Sequence, residues 1–131
     1  MPEEGMGFLR RVLQYELDAA ERYRRFVSLV MIASSEGIDR TRQVLNGTIR
    51  SSDILAESED TAVVLMSETD SYGALSAIER YRERGGNASD LRFSLVTYPS
   101  DGGGADSLFS TAMRRLQSAV AGELGNVVTT G

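Results

Sequence analysis

A nearly unbroken apolar run, Phe26 to Ala33 (FVSLVMIA), is the feature that most constrains the fold of this chain. Only Ser28 interrupts it. A short run of this kind is typical of a central strand that is covered on both faces. The run is far shorter than the ~20 apolar residues that cross a bilayer as a helix. It therefore predicts a layered protein in which helices pack on both sides of a sheet.

The rest of the chain has the patterns of helices and strands that such a layered fold needs. Residues 8–25 place Leu9, Leu13, Leu17 and Ala20 at helical spacing, which predicts an amphipathic entry helix. The other predicted elements are, in order, a short helix within 38–49, a hairpin of 54–57 and 62–66, a helix that begins at Thr69 or Asp70 and ends at Gly85-Gly86, a strand at 91–98, a helix presenting Leu108, Phe109, Ala112, Leu116 and Ala119, and an edge strand within 126–129. We therefore predict a single α/β domain over residues 1–131 with a mixed sheet.

The residue types that are missing exclude several classes of function. The chain contains no cysteine, histidine or tryptophan, and no lysine because all 14 basic residues are arginine. Disulfides, the usual zinc sites and Ser-His-Asp triads are therefore excluded, and no cofactor or metal site is predicted. The net charge of −5 argues against general nucleic-acid binding. The lack of cysteine favours a cytoplasmic location, and no apolar segment predicts membrane insertion.

Several stretches, in the expected order, resemble the GGDEF domain of bacterial diguanylate cyclases. Leu13 to Ile32 (LQYELDAAERYRRFVSLVMI) is similar to the entry helix and first strand of that family, and Thr61 to Asp70 (TAVVLMSETD) is similar to the strand and loop after the GGDEF turn. Thr97 to Gly102 (TYPSDG) resembles a turn that precedes the last helix of the family. The resemblance covers nearly the whole chain. It implies a nucleotide-cyclase-like sandwich with a central, mostly antiparallel sheet, shortened relative to the family.

The departures from the family pattern all fall on catalysis. Ala33 stands where the family has a metal-binding aspartate, and the segment from Ala33 to Arg50 is short by roughly 15 residues, about one four-turn helix. Glu57 to Thr61 replaces the GGDEF hairpin without its glycines, so Glu59 and Asp60 are either relics of the acidic pair or, as we favour, an ordinary polar turn. The last helix has Ala112-Met113 and Ala119-Val120 where the family has an aspartate and a lysine. We therefore expect a degenerate domain that is not an enzyme.

One part of the family pattern is retained, and it concerns ligand binding. In the family, an Arg-x-x-Asp motif and a second arginine on the next helix form an inhibitory site for the product, cyclic di-GMP. The resemblance places Arg50, Asp53 and Arg80 at these positions. Two arginines can form forked hydrogen bonds to phosphates and guanine edges, and an aspartate can accept from guanine N–H groups. The predicted function is therefore binding of cyclic di-GMP in signal transduction.

A ligand-free interpretation of these residues also stays open. Arg50 and Asp53 could form only a local surface ion pair, with Arg80 solvated beside Glu79 and Glu83. The domain would then be a ligand-free protein-interaction or dimerisation module of a bacterial signalling system. In that case the partner would be another protein or a second copy of this chain, paired through the entry helix.

Overall fold

The fold follows from a computed structural model, which describes residues 2–86, 89–122 and 126–131, and of residues 2–5 only the backbone. The elements are, in order, α1 (Pro2–Tyr23), β1 (Val27–Ser34), α2 (Ile38–Leu45), β2 (Ile54–Ser58), β3 (Thr61–Ser67), α3 (Ser71–Gly85), β4 (Leu91–Tyr98), α4 (Ala105–Ala121) and β5 (Val127–Val128). This order agrees with the predicted α/β class.

The strands form one sheet with the order β2-β3-β1-β4-β5. β1 lies at its centre and pairs antiparallel with both β3 and β4, while β5 adds to β4 in parallel. The sheet is therefore mixed and mostly antiparallel, as predicted. Every residue of the apolar run from Val27 to Ile32 is buried, because helices cover both faces of this central strand.

Alternate residues of β1 belong to two separate cores. Leu29 and Met31 pack with α1 and α4 on one face, whereas Val30 and Ile32 pack with α2 and α3 on the other. This division follows from the two-residue period of a strand, which sends successive side chains to opposite faces. Leu9, Leu13, Leu17 and Ala20 are the buried stripe of α1, so its predicted amphipathic face is confirmed.

The entry helix has different bounds from the predicted range of 8–25. It begins at Pro2 and ends at Tyr23, and the strand begins at Val27 and not at Phe26. The earlier end has a local cause, since Arg24 has a positive φ of 55° and the Arg25 N–H donates to the carbonyl of Ala20 at 2.8 Å. This contact closes the last turn and stops the helix before Phe26.

The predicted bounds of α3 are confirmed at both ends. Asp70 is the N-cap, and its Oδ1 accepts from the Gly73 N–H at 2.8 Å. Gly86 follows the helix with a φ of 69°, a conformation that suits glycine at a helix C-terminus. Ala74, Ala77 and Ile78 form the buried face, together with Tyr81. The cap and the buried face fix which way Arg80 points along the helix surface.

Candidate ligand-binding site

Arg50 and Asp53 lie in the turn that leads from α2 to β2. The carboxylate Oδ2 of Asp53 accepts a hydrogen bond from the backbone N–H of Arg50 at 3.0 Å. In return, the Asp53 N–H donates to the carbonyl of Arg50, also at 3.0 Å. The aspartate therefore fixes the turn through the backbone. The three-residue spacing of the motif is what lets both hydrogen bonds form.

Arg80 lies on α3, half-buried, next to the fully buried Tyr81. On the same helix Arg82 pairs with Glu79 across 3.2 Å. Arg80 takes no part in this ion pair. The helix presents Arg80 beside the tyrosine ring that anchors this part of α3 in the core.

Tyr81 links the two parts of the candidate site, because it follows Arg80 on α3 and its core cluster packs against Ile49, which precedes Arg50. The pKa of Tyr81 is raised to about 12, first by burial and next by the negative charge of Asp53, while Arg80 and Arg50 act in the opposite direction. The charges of all three residues thus act on this hydroxyl, and such an effect falls with distance. The turn with Arg50 and Asp53 and the helix with Arg80 thus border the same core cluster at one corner of the fold, although Arg50 and Arg80 are 30 positions apart along the chain.

The side chains in this corner are largely unbonded. Across residues 2–86, 89–122 and 126–131, the guanidinium groups of Arg50 and Arg80 have no hydrogen bond or ion pair, and Oδ1 of Asp53 accepts none. The local Arg50–Asp53 ion pair of the alternative interpretation is therefore not formed in this structure. Two arginines and one carboxylate oxygen remain able to bond a ligand.

A cavity of about 520 Å³ opens beside the same turn, between α2 and β2. Leu45, Ile49 and Leu55 give it apolar walls, and Arg42 stands at its rim, where it makes a forked ion pair with Glu57 at 2.6 and 2.9 Å. The cavity lies over the short connection from α2 to β2. This is the segment that the sequence predicts to be shortened relative to the family.

The C-terminal end of β1 carries Ala33, the residue that the resemblance aligns with a metal-binding aspartate of the GGDEF family. Ala33 lies in register between Thr61 and Arg92 on the neighbouring strands. The next residue, Ser34, donates from its hydroxyl to Asp90 at 2.6 Å. Asp90 also accepts from Arg40, at 3.0 Å from Nε and 3.2 Å from a terminal nitrogen. This buried cluster connects β1, α2 and the start of β4.

The bonding in this cluster is largely internal. Arg40 additionally donates to the carbonyl of Gly85 at 2.8 Å, and the Ser34 hydroxyl accepts from the Glu36 N–H at 2.9 Å. The pKa of Asp90 is lowered, first by the hydrogen bond from Arg40 and also by that from Ser34, although burial acts against this. The carboxylate thus stays charged inside the fold. Its partners hold it there, so this arrangement is structural.

The hairpin turn between β2 and β3 carries the two acidic residues that the sequence assigns to a polar turn. Glu59 and Asp60 are exposed in the tight turn between β2 and β3, and Glu59 has a positive φ of 54°. Among the residues that the structure describes, no three or more His, Cys, Asp and Glu side chains are grouped so that they could hold a metal ion. No described helix has the length and apolar character needed to span a bilayer.

Sequence reasoning missed two groups of residues that the fold brings into play. Asp90 and Arg40 are 50 positions apart and carry no short motif, so their pairing was invisible before the fold was known. Tyr81 has the helical spacing of Ala74, Ala77 and Ile78, so the sequence alone assigns it to the apolar face of α3. Its position directly after Arg80 was the one available signal that its polar end could belong to the candidate site.

Solved structures with the same fold are GGDEF domains. The GGDEF domain of YfiN (also called TpbB) from Pseudomonas aeruginosa is similar with a TM-score of 0.82 and 16% identity, over 95% of this chain and 94% of that one. The diguanylate cyclase SiaD from Pseudomonas aeruginosa, solved in complex with its activator SiaC, gives 0.78 and 13%, over 94% and 57%. A DGC protein from Thermotoga maritima gives 0.64 and 18%, over 87% and 92%.

A scan against protein-family models gives no match, and a search of curated proteins gives none either. The TM-scores establish the shared architecture, and at identities below one fifth they show the fold alone. The predicted nucleotide-cyclase-like sandwich is therefore confirmed. The chain has the fold of a GGDEF domain.

Proposed function

We propose that this domain binds cyclic di-GMP at Arg50, Asp53 and Arg80 and does not synthesise it. The observation that carries the proposal is that both guanidinium groups lack a partner within the described residues, although the turn with Arg50 and the helix with Arg80 border one core cluster. Unbonded arginines held at one place form a ready recognition site for phosphate and guanine acceptors. The proposal thus rests on their joint placement and on the fold.

The chemistry of the ligand suits these three side chains. Cyclic di-GMP has two phosphates, and each guanine has acceptors at O6 and N7 and donors at N1 and N2. Arg50 and Arg80 can donate forked bonds to the acceptors, and the unused Oδ1 of Asp53 can accept from the donors. Asp53 keeps its other oxygen on the Arg50 backbone, so the turn would remain folded when the ligand binds.

The surroundings of the C-terminal end of β1 support the proposed lack of synthesis. Two metal ions activate the attacking hydroxyl and neutralise the triphosphate in this type of reaction, and they need carboxylate ligands. Ala33 offers a methyl group, and the nearest buried carboxylate, Asp90, is already bonded by Arg40 and Ser34. The turn at Glu59 and Asp60 also lacks the glycines that let backbone approach phosphate.

Titration calorimetry with cyclic di-GMP tests the proposal. Arg50→Ala should weaken binding about tenfold or more, because a hydrogen bond to a charged group contributes roughly 1.5–3 kcal/mol. Arg82→Ala is the matched control, since Arg82 pairs with Glu79 on the same helix and should leave the affinity nearly unchanged. Added salt should weaken wild-type binding, as expected for arginine–phosphate contacts. No heat from the wild type, or equal affinity in Arg50→Ala, would refute the proposal.

A second candidate function is protein binding through α1. Phe8, Tyr15 and Tyr23 on this helix are 54%, 74% and 59% exposed, which is unusual for large aromatic side chains on one element. SiaD, which has the same fold, was solved with a protein activator. Under this alternative, sedimentation should detect a dimer or a complex that Tyr15→Ser disrupts. The midpoint of thermal unfolding would then not rise when cyclic di-GMP is added. If the proposed site binds the ligand, the midpoint should rise with ligand concentration.

A further inference from the structure

The hydroxyl of Tyr81 is buried without a hydrogen-bond partner. The residue has 0% exposure, and its oxygen is one of two fully buried side-chain polar atoms without a partner in the described chain, the other being that of Thr41. A buried donor left unbonded costs free energy, whereas phenylalanine would fill the same space without that cost. A group of this kind in a native protein calls for an explanation, and function is one of them.

The surroundings of this hydroxyl single out one acceptor. Of the three charged residues near it, Arg50 and Arg80 can only donate hydrogen bonds. Asp53 alone can accept, and its negative charge acts on the hydroxyl more strongly than either arginine. Its Oδ1 accepts no hydrogen bond from any described residue, while Oδ2 is held by the Arg50 N–H. The unused donor therefore lies on the helix that carries Arg80, and the unused acceptor lies in the turn whose Ile49 packs against the same core cluster.

We propose that Tyr81 is a positioning residue of the candidate site: when ligand binds, its hydroxyl donates to the Asp53 carboxylate and holds it against the guanine edge. This inference rests on the proposed function, because it concerns the bound state of the same site. A carboxylate has about four acceptor positions. The Arg50 N–H, two guanine donors and the Tyr81 hydroxyl would fill them all.

Ligand binding supplies the reason for the bond to form. In the free protein, Asp53 is only half-buried, so water can solvate its carboxylate in place of the hydroxyl. A bound nucleotide covers the corner and removes that water. Hydrogen bonds strengthen when water is excluded, and an unpaired donor becomes more costly at the same time. A small turn of the Asp53 side chain toward Tyr81 would then be favoured.

Tyr81→Phe tests this inference through two measurements: the affinity for cyclic di-GMP, which should fall, and the stability of the free protein, which should not fall. Calorimetry with cyclic di-GMP should show binding weakened about tenfold or more, the size of one hydrogen bond lost from a charged carboxylate. The urea midpoint of the free variant should equal or exceed that of the wild type, since an unbonded buried donor has been removed. Tyr72→Phe is the matched control, because Tyr72 lies on the same helix and is 80% exposed.

A second experiment, in the Asp53→Ala protein, tests whether Tyr81 acts through Asp53. When Asp53 is already alanine, Tyr81→Phe should weaken binding no further, because the acceptor on which it acts is gone. A further loss there would show that Tyr81 acts on the ligand directly and would overturn the positioning role. Unchanged affinity of the single variant Tyr81→Phe would overturn the inference while leaving the proposed function intact. A wild type that binds no cyclic di-GMP would refute both.

Discussion

Two corners of this molecule combine arginine with aspartate, and they differ in whether the arginine is already bonded. At the end of β1, Arg40 and Asp90 make two hydrogen bonds to each other and further ones to Ser34 and Gly85. At the turn before β2, Asp53 bonds the backbone of Arg50, and the guanidinium is left without a described partner. Similar residue types are thus bonded differently in the two places.

The difference gives a criterion for separating a structural polar cluster from a candidate binding site. A buried charged group that is fully bonded stabilises one arrangement, and breaking it is expensive. A set of charged groups that converge without bonding one another keeps its donors and acceptors for something else. The resemblance to the family led to the second corner only, whereas the hydrogen bonds distinguish the two.

The largest effect that we expect is the absence of synthesis at the first corner. GTP with Mg²⁺ or Mn²⁺ should give no cyclic di-GMP, because loss of metal positioning costs orders of magnitude in phosphoryl transfer. Ala33→Asp should remain inactive, since it restores one ligand and neither the glycines of the hairpin nor a lysine. Chromatography of the nucleotides after long incubation is the measurement. Cyclic di-GMP formed above the level of a no-protein blank would contradict this prediction.

The next effect is on stability, and it also belongs to the first corner. Asp90→Ala should lower the free energy of unfolding by about 3 kcal/mol, as expected when one partner of a buried ion pair is removed. Urea denaturation followed by circular dichroism measures it without adding salt. Asp18→Ala, on the exposed face of α1, is the control and should stay within about 0.5 kcal/mol. A small effect at Asp90 would mean that the cluster contributes little to the fold.

The same variant gives a pH dependence whose sign is fixed by the lowered pKa of Asp90. A carboxyl group with a lower pKa in the folded state contributes stability above its unfolded pKa of about 4, and loses it as pH falls through the folded value. The stability gap between wild type and Asp90→Ala should therefore be constant near neutrality and shrink below pH 4. Urea titrations at several pH values measure the gap. A gap that widens in acid would contradict the assigned sign.

Much of the fold could be predicted because burial follows from local spacing. The apolar run of β1 and the stripe of Leu9, Leu13 and Leu17 are set by strand and helix periods, which operate within a few residues. The cap at Asp70 is equally local. The early end of α1 escaped prediction because it depends on the left-handed backbone of Arg24, a residue type that gives no warning of it.

For the candidate site, the sequence predicted which residues to consider and not how they are bonded. Family resemblance placed Arg50, Asp53 and Arg80, but a three-residue spacing does not say that Asp53 bonds backbone and spares both arginines. That outcome depends on the turn and on where α3 packs. The unbonded hydroxyl of Tyr81 and the pairing of Arg40 with Asp90 depend on contacts between distant parts of the chain. Short patterns carry no information about such contacts.

The smallest effect should come from Arg50, and it completes the comparison. Arg50→Ala should change the free energy of unfolding by less than about 0.5 kcal/mol, because the exposed guanidinium has no described partner to lose. Arg40→Ala is the matched substitution in the other corner and should cost several times more, since it leaves the carboxylate of Asp90 buried without its main donor. Urea denaturation of both variants decides the point. Equal losses would mean that Arg50 supports the fold, and its weakened ligand binding could then be explained by a damaged turn; a loss confined to Arg40 would assign Arg50 to recognition.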